Sequence, residues 1–198
     1  QQLPLRQLLL AAERADVDLK RVLGELAYRV HGQGAQGKRQ VAYIDEATLY
    51  KTVAQLNGND WGWGQQLVGV MKLRAGLLVE DRPGLFAFPH RTFQEYLAGT
   101  HLADQPDFAR QGARLAAEGV IWREVILLAV WHLVYQRRDV SKPLLLVGEL
   151  CPAMAVEMAT GWLQVWLAGE VLLEMGLRRV QDEGLGRELL ARVQQRLA

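Results

Sequence analysis

The chain has 198 residues, half of them hydrophobic and under a quarter charged, which is enough apolar material for one or two globular domains and too much for a disordered segment. Lysine plus arginine number 23 against 22 aspartate plus glutamate, so bulk charge recruits neither nucleic acid nor an acidic membrane surface. The single cysteine, Cys151, can form no internal disulfide and fits a reducing compartment.

Gln1 is not a start residue and no secretory leader opens the chain, so the sequence reads as a processed or excised segment. Pro4 suits a first helical turn, and Leu5, Leu8, Leu9 and Ala12 follow it at helical spacing. Leu19, Val22, Leu23, Leu26, Ala27 and Val30 then repeat at i, i+3, i+4, i+7, i+8 and i+11, the stripe of an amphipathic helix.

Residues 32–40 hold a false lead. Gly32, Gly34 and Gly37 satisfy G-x-G-x-x-G, and Gly32, Gly37 and Lys38 satisfy G-x-x-x-x-G-K. Both motifs cradle phosphate only where a strand enters the glycine loop and a helix leaves it. Here a helix enters and an extended piece leaves, and Arg39 stands where a phosphate loop needs a hydroxyl for Mg²⁺. The stretch is read as a flexible connector.

Asp45 is placed to cap the next helix, with Ile44 and Leu49 as a hydrophobic staple and Leu49, Val53 and Leu56 as its buried stripe. Residues 57–60, Asn-Gly-Asn-Asp, make a turn. Residues 61–74 form another helix with Leu67, Val70 and Met71 inward and Gly76 as its stop. Residues 77–80 and 85–88 read as two short strands joined through Asp81-Arg82-Pro83-Gly84. A helix starts behind Pro89: Phe93, Tyr96 and Leu97 share one of its faces, Thr92 and Glu95 have the spacing of a capping box, and His90 and Arg91 sit beside its first turn. That turn offers unpaired backbone N–H groups and partial positive charge, a setting for phosphate.

The string Phe88-Pro89-His90-Arg91-Thr92-Phe93-Gln94-Glu95-Tyr96-Leu97-Ala98, read with Arg74-Ala75-Gly76-Leu77-Leu78-Val79-Glu80 before it, resembles the winged-helix part of NACHT-type STAND NTPases, the signalling ATPases that include the animal NLR receptors and many bacterial homologues. The firm match covers roughly residues 40–104. The resemblance implies a mainly α fold: a helical segment over 1–34 leading from an absent NTPase core, a winged helix with a short two-stranded β-wing over 35–104, and an α-helical segment over 105–198. It implies that His90 matches the family histidine that reaches the β-phosphate of bound ADP and holds the protein closed; nothing in the match gives Arg91 a role. Exchange for ATP releases the clamp, and the opened molecules self-associate to switch on an effector. The partner is then the NTPase core of the same polypeptide, with ADP or ATP and Mg²⁺ held by the parent protein and no cofactor by the isolated chain. Many bacterial members act in stress or phage defence.

Beyond residue 104 every segment reads as helix. Trp122, Val125, Ile126, Ala129 and Leu133 line one face, and the apolar run over 125–135 is too short to cross a bilayer and is interrupted by His132. A cytoplasmic location is therefore expected. Residues 143–150 make a second apolar segment, stopped by Cys151-Pro152. Trp162, Val165, Trp166 and Leu173 mark a third, and Leu185, Leu189, Leu190, Val193 and Leu197 a last one. Placing Trp122 on Trp162 superposes Val125 on Val165, Ile126 on Trp166 and Leu133 on Leu173, an offset near the ~40–47 residues of HEAT or armadillo repeats. A repeat array and an irregular bundle both fit. The six tryptophans are assigned mostly to helix starts or buried faces.

His31, His101 and His132 have no partners at metal-ligand spacing, and no nucleophile–base set stands out. Without a credible phosphate loop or a metal-holding acidic pair, the chain alone is not expected to hydrolyse ATP. Two other readings remain: a helical protein-interaction scaffold, and a DNA-binding winged helix whose recognition helix, residues 61–74, offers only Lys72 and Arg74 as cations, too few for a phosphate-dominated interface.

Overall fold

Both apolar stripes at the start of the chain become helices, α1 (Leu5–Ala11) and α2 (Asp16–Gln36). The computed structural model describes residues 5–36, 43–73, 76–153 and 159–198. Its contacts gather into two units, Gln1–Ala98 and Gly99–Ala198. Within the first unit, Trp63 donates its indole N–H to the Leu8 carbonyl at 3.1 Å, and Arg14 Nε donates to the Leu56 carbonyl at 2.7 Å.

Helix α2 runs through Gly32 and Gly34 to Gln36, so the expected connector does not begin at residue 32. In a helix, amides beyond the first turn bond the carbonyl four residues back and cannot converge on a phosphate. Residues 37–42, including the rest of the glycine motif, lie outside the described residues.

The chain continues through β1 (Ile44–Asp45), α3 (Glu46–Ala54), a 3₁₀ turn (Gln55–Asn57), α4 (Trp61–Leu73), β2 (Val79–Arg82), β3 (Leu85–Ala87) and α5 (Arg91–Ala103). Ile44, Leu49, Val53, Leu56, Leu67 and Met71 are all buried, so α3 and α4 pack through the predicted stripes. Gly58 and Asn59 both adopt positive φ in the turn between them. Helix, helix, hairpin, helix is the order of a winged helix.

The wing is larger than expected. Strand β3 is central, pairing antiparallel with β2 on one side and β1 on the other, with Ile44 opposite Phe86 and Val79 opposite Ala87. Two residues are too short to show an alternating pattern, yet they occupy an edge of β3 that a two-strand hairpin would leave unpaired. Phe86, on the middle strand, is fully buried.

The second unit takes in the end of α5 and is entirely helical among its described residues. It holds α6 (Phe108–Glu118), a 3₁₀ turn (Val120–Trp122), α7 (Arg123–Trp131), a π-helical turn (His132–Arg137), α8 (Ser141–Leu150), α9 (Ala159–Met175), α10 (Leu177–Asp182) and α11 (Gly184–Leu197). Helix α9 packs against α7, α8 and α11. The α7 stripe is buried as predicted.

The α9 stripe is not. Trp122 is 2 % exposed but Trp162 is 63 %, and Ile126 and Leu133 are buried where Trp166 and Leu173 stand in solvent. Positions that superpose in a repeat should share their burial; Val125 and Val165 do, both being buried, but the other three pairs do not, so burial does not support the 40-residue offset. The buried residues of α9 are Val165, Leu167, Ala168, Val171, Leu172 and Met175. In α11, Leu189 and Val193 are buried while Leu185 and Leu197 are exposed. Of the tryptophans assigned to helix starts or buried faces, Trp63 and Trp122 are buried, Trp61 opens α4 and Trp162 lies in the first turn of α9, whereas Trp166 is exposed in mid-helix.

Candidate functional site

The wing is fastened before it delivers the chain to α5. Its turn is Pro83-Gly84, with Gly84 at φ +72°, a left-handed conformation that glycine adopts without a Cβ penalty. The Gly84 carbonyl accepts from the Glu46 amide at 2.9 Å, and its own amide donates to Glu80 Oε1 at 3.0 Å. Lys72 of α4 pairs with Glu80 and lies 5.0 Å from the centre of the Phe86 ring. Hydrogen bonds from Lys72 and from the Gly84 amide hold the Glu80 carboxyl below the usual carboxylate range. The hairpin is thus pinned to α3 and α4 at once.

From β3 the chain passes Phe88, buried and edge-on to Phe93 at 6.1 Å between ring centres, and turns at Pro89. His90 follows, exposed. Its carbonyl accepts from the Gln94 amide at 3.1 Å, the first bond of α5, which makes His90 the residue that caps the helix start. By helix geometry the amides of Arg91, Thr92 and Phe93 have no carbonyl one turn back. A helix start of this kind favours an anion, and an imidazole is a group that can donate to one.

The expected capping box does not form. The helix begins at Arg91, so exposed Thr92 already lies inside the first turn and cannot act as the cap. Glu95 is instead buried, and its Oε1 accepts from Arg91 Nε at 2.8 Å. A buried carboxylate needs a cation more than it needs a backbone amide, and Arg91 is the cation one turn away. Arg91 is therefore committed along the helix, leaving His90 as the side chain at its mouth. Phe93 and Tyr96 are half-buried and Leu97 buried, and Tyr96 Oη accepts from Lys20 Nζ of α2 at 2.9 Å, so this face of α5 is structural.

The remaining candidates do not assemble. Among the described residues no three His, Cys, Asp or Glu side chains converge as metal ligands would. Burial pushes the Cys151 thiol up, only partly opposed by Arg196 and Arg192, so it is a poor nucleophile. The exposed positions of α4 are Trp61, Gly62, Gln65 and Gln66, and its Lys72 is spent on the wing; Arg74 lies outside the described residues. No described helix is long and apolar enough to cross a membrane.

Several positioning residues escape a reading of sequence. Asp60 Oδ1 accepts from the Trp63 amide at 3.0 Å and caps α4, a signal that was readable from its place just before the helix. Lys142 Nζ donates to the carbonyls of Ala103 and Gln105 at the end of α5, and Arg192 and Arg196 donate to those of Cys151 and Pro152 after α8. Those cations act on carbonyls about forty residues away, and no local pattern marks them.

Residues 7–102 match the family model of the winged helix-turn-helix domain C-terminal to NACHT. The matched span begins inside α1 and ends one residue before the end of α5. No curated protein and no solved structure matches the chain.

Proposed function

Residues 7–102 belonging to the family of winged helix-turn-helix domains C-terminal to NACHT, we propose that this chain is the regulatory segment of a NACHT signalling NTPase, whose winged helix senses the nucleotide on a NACHT core of the same polypeptide. It holds the molecule closed while ADP is present and couples exchange for ATP to self-association and to an effector. ADP supplies the anion, a β-phosphate, and the parent protein supplies Mg²⁺.

One observation carries this reading: His90 stands in solvent at the start of α5, just after a wing pinned to α3 and α4. The imidazole donates a hydrogen bond from a ring N–H, and the unpaired amides of the first turn favour the same anion. Arg91 does not compete, because Glu95 holds it. The clamp is then a single contact that exists in the closed state and is lost in the open one, which is what biasing a two-state element requires.

In the parent protein carrying its NACHT core, His90→Ala is expected to speed ADP release at least tenfold, about 1.4 kcal/mol of closed-state contact, and to raise basal signalling. Arg91→Ala should change ADP release less than about twofold, since its partner is Glu95 rather than the ligand. Unchanged ADP dissociation in the His90 variant would overturn the clamp.

A further inference from the structure

Helix α9 has the composition of a helix covered on all sides. Over Ala159–Met175 its only polar side chains are Thr160, Gln164, Glu170 and Glu174. An apolar surface all round belongs to a helix with neighbours all round. Yet the face turned away from its own unit is open: Trp162, Leu163, Trp166 and Leu173 are each 62–68 % exposed. Trp162, Trp166 and Leu173 share one face of the helix with Leu163 at its side, and Trp166 and Leu173 line a groove of about 260 Å³ between α9 and α11 to which Leu177 and Leu197 also contribute. The polar side chains lining that groove are Glu170 and Gln194. Glu170 is already bound by Arg123, whose Nε donates to it at 2.8 Å.

We infer that this face is the docking site for a second copy of the chain. Area is the first argument. Two tryptophans and four leucines, with Leu177 and Leu197 about two-fifths exposed, present roughly 600 Å² of apolar surface, the upper end of what a monomer ordinarily leaves open. Two such faces buried together remove roughly 1,200 Å², the lower edge of a specific dimer interface. Shape is the second. A two-fold contact needs projection and recess on the same patch, and here a tryptophan ridge stands next to a groove. Charge is the third. With Glu170 neutralised by Arg123, two copies meet without opposing free carboxylates, and no unpaired charge in the groove selects an acidic or basic partner. The face lies outside residues 7–102, and its role does not depend on the nucleotide reading.

The test is the mass of the 198-residue chain by sedimentation velocity from low micromolar to submillimolar concentration. A concentration-dependent monomer–dimer equilibrium is expected. Trp162→Glu and Trp166→Glu should each weaken it at least tenfold, and together they should abolish it. Val120→Glu, at a position 78 % exposed but outside the groove, should leave it unchanged. These positions are exposed, so far-UV circular dichroism should report an intact fold in every variant. A wild-type chain that stays monomeric throughout overturns the inference, including one whose groove then accepts a helix from elsewhere in the parent polypeptide. So does a dimer indifferent to both glutamate substitutions.

Discussion

At the scale of single residues, the first unit is governed by what happens at helix ends. Asp45 caps α3 by accepting from the Thr48 amide at 2.9 Å, and hydrogen bonding to Thr48, side chain first and then backbone, holds its carboxyl below the ordinary 3.8. A depressed carboxyl stabilises the fold above its unfolded value, and that contribution is lost as the pH falls through the lower native one. Asp45→Ala should therefore cost about 1 kcal/mol at neutral pH, and the gap in melting temperature between wild type and variant should narrow in acid. Melts at neutral pH and near pH 3 check both parts. This cap could be read directly, because the donor is three residues away. The pairing of Glu95 could not: spacing permits either a bond to the helix start or one to Arg91, and burial decided for the cation.

At the scale of elements, the wing shows how far local signals reach. Apolar residues at 77–79 and 85–88 on either side of Asp81-Arg82-Pro83-Gly84 announce a hairpin, and a hairpin is present, but its first strand is Val79–Arg82 and takes in two residues assigned to the turn. The third strand, two residues long and separated from its partner by an entire helix-turn-helix, leaves no local trace. Close packing between helices is equally silent in sequence. A Cβ on Gly99 of α5 would lie 2.9 Å from the Val125 carbonyl oxygen and 3.1 Å from the Ala129 amide, both backbone atoms of α7 that cannot swing aside. Gly99→Ala should force the two helices apart at a cost of about 1–3 kcal/mol. Gly148→Ala in α8, where a Cβ would meet nothing within 4 Å, should be neutral or stabilising by about 0.5–1 kcal/mol. Urea midpoints of the two variants, compared with wild type, separate crowding from helix propensity.

At the scale of the whole molecule, each unit has its own buried set, Ile44, Leu49, Leu67 and Phe86 in the first and Phe108, Ile126, Leu146 and Leu150 in the second. Helix α5 belongs to both stretches of chain, since it runs from Arg91 to Ala103 across the division after Ala98. A fragment of residues 1–104 should accordingly fold alone and melt cooperatively, whereas one ending at residue 98 cuts α5 in mid-helix and should melt at a lower temperature. Circular dichroism melts of the two fragments test this. The family match over 7–102, which includes most of α1 and all of α2, points to the same folding unit.

From the sequence alone came the helices, their apolar faces, the hairpin, the resemblance to a NACHT-associated winged helix and the position of His90 ahead of a helix. All of these are written in residues within a turn or two of one another. Tertiary structure alone decided which apolar faces are covered, which cation Glu95 takes, where the third strand lies and which carbonyls Lys142, Arg192 and Arg196 satisfy. Periodicity says that a face is apolar, but whether another part of the chain reaches it depends on contacts formed across forty residues or more. Trp122 and Trp162 look alike in the sequence; one is buried and the other stands in solvent because only the first has a neighbour to meet.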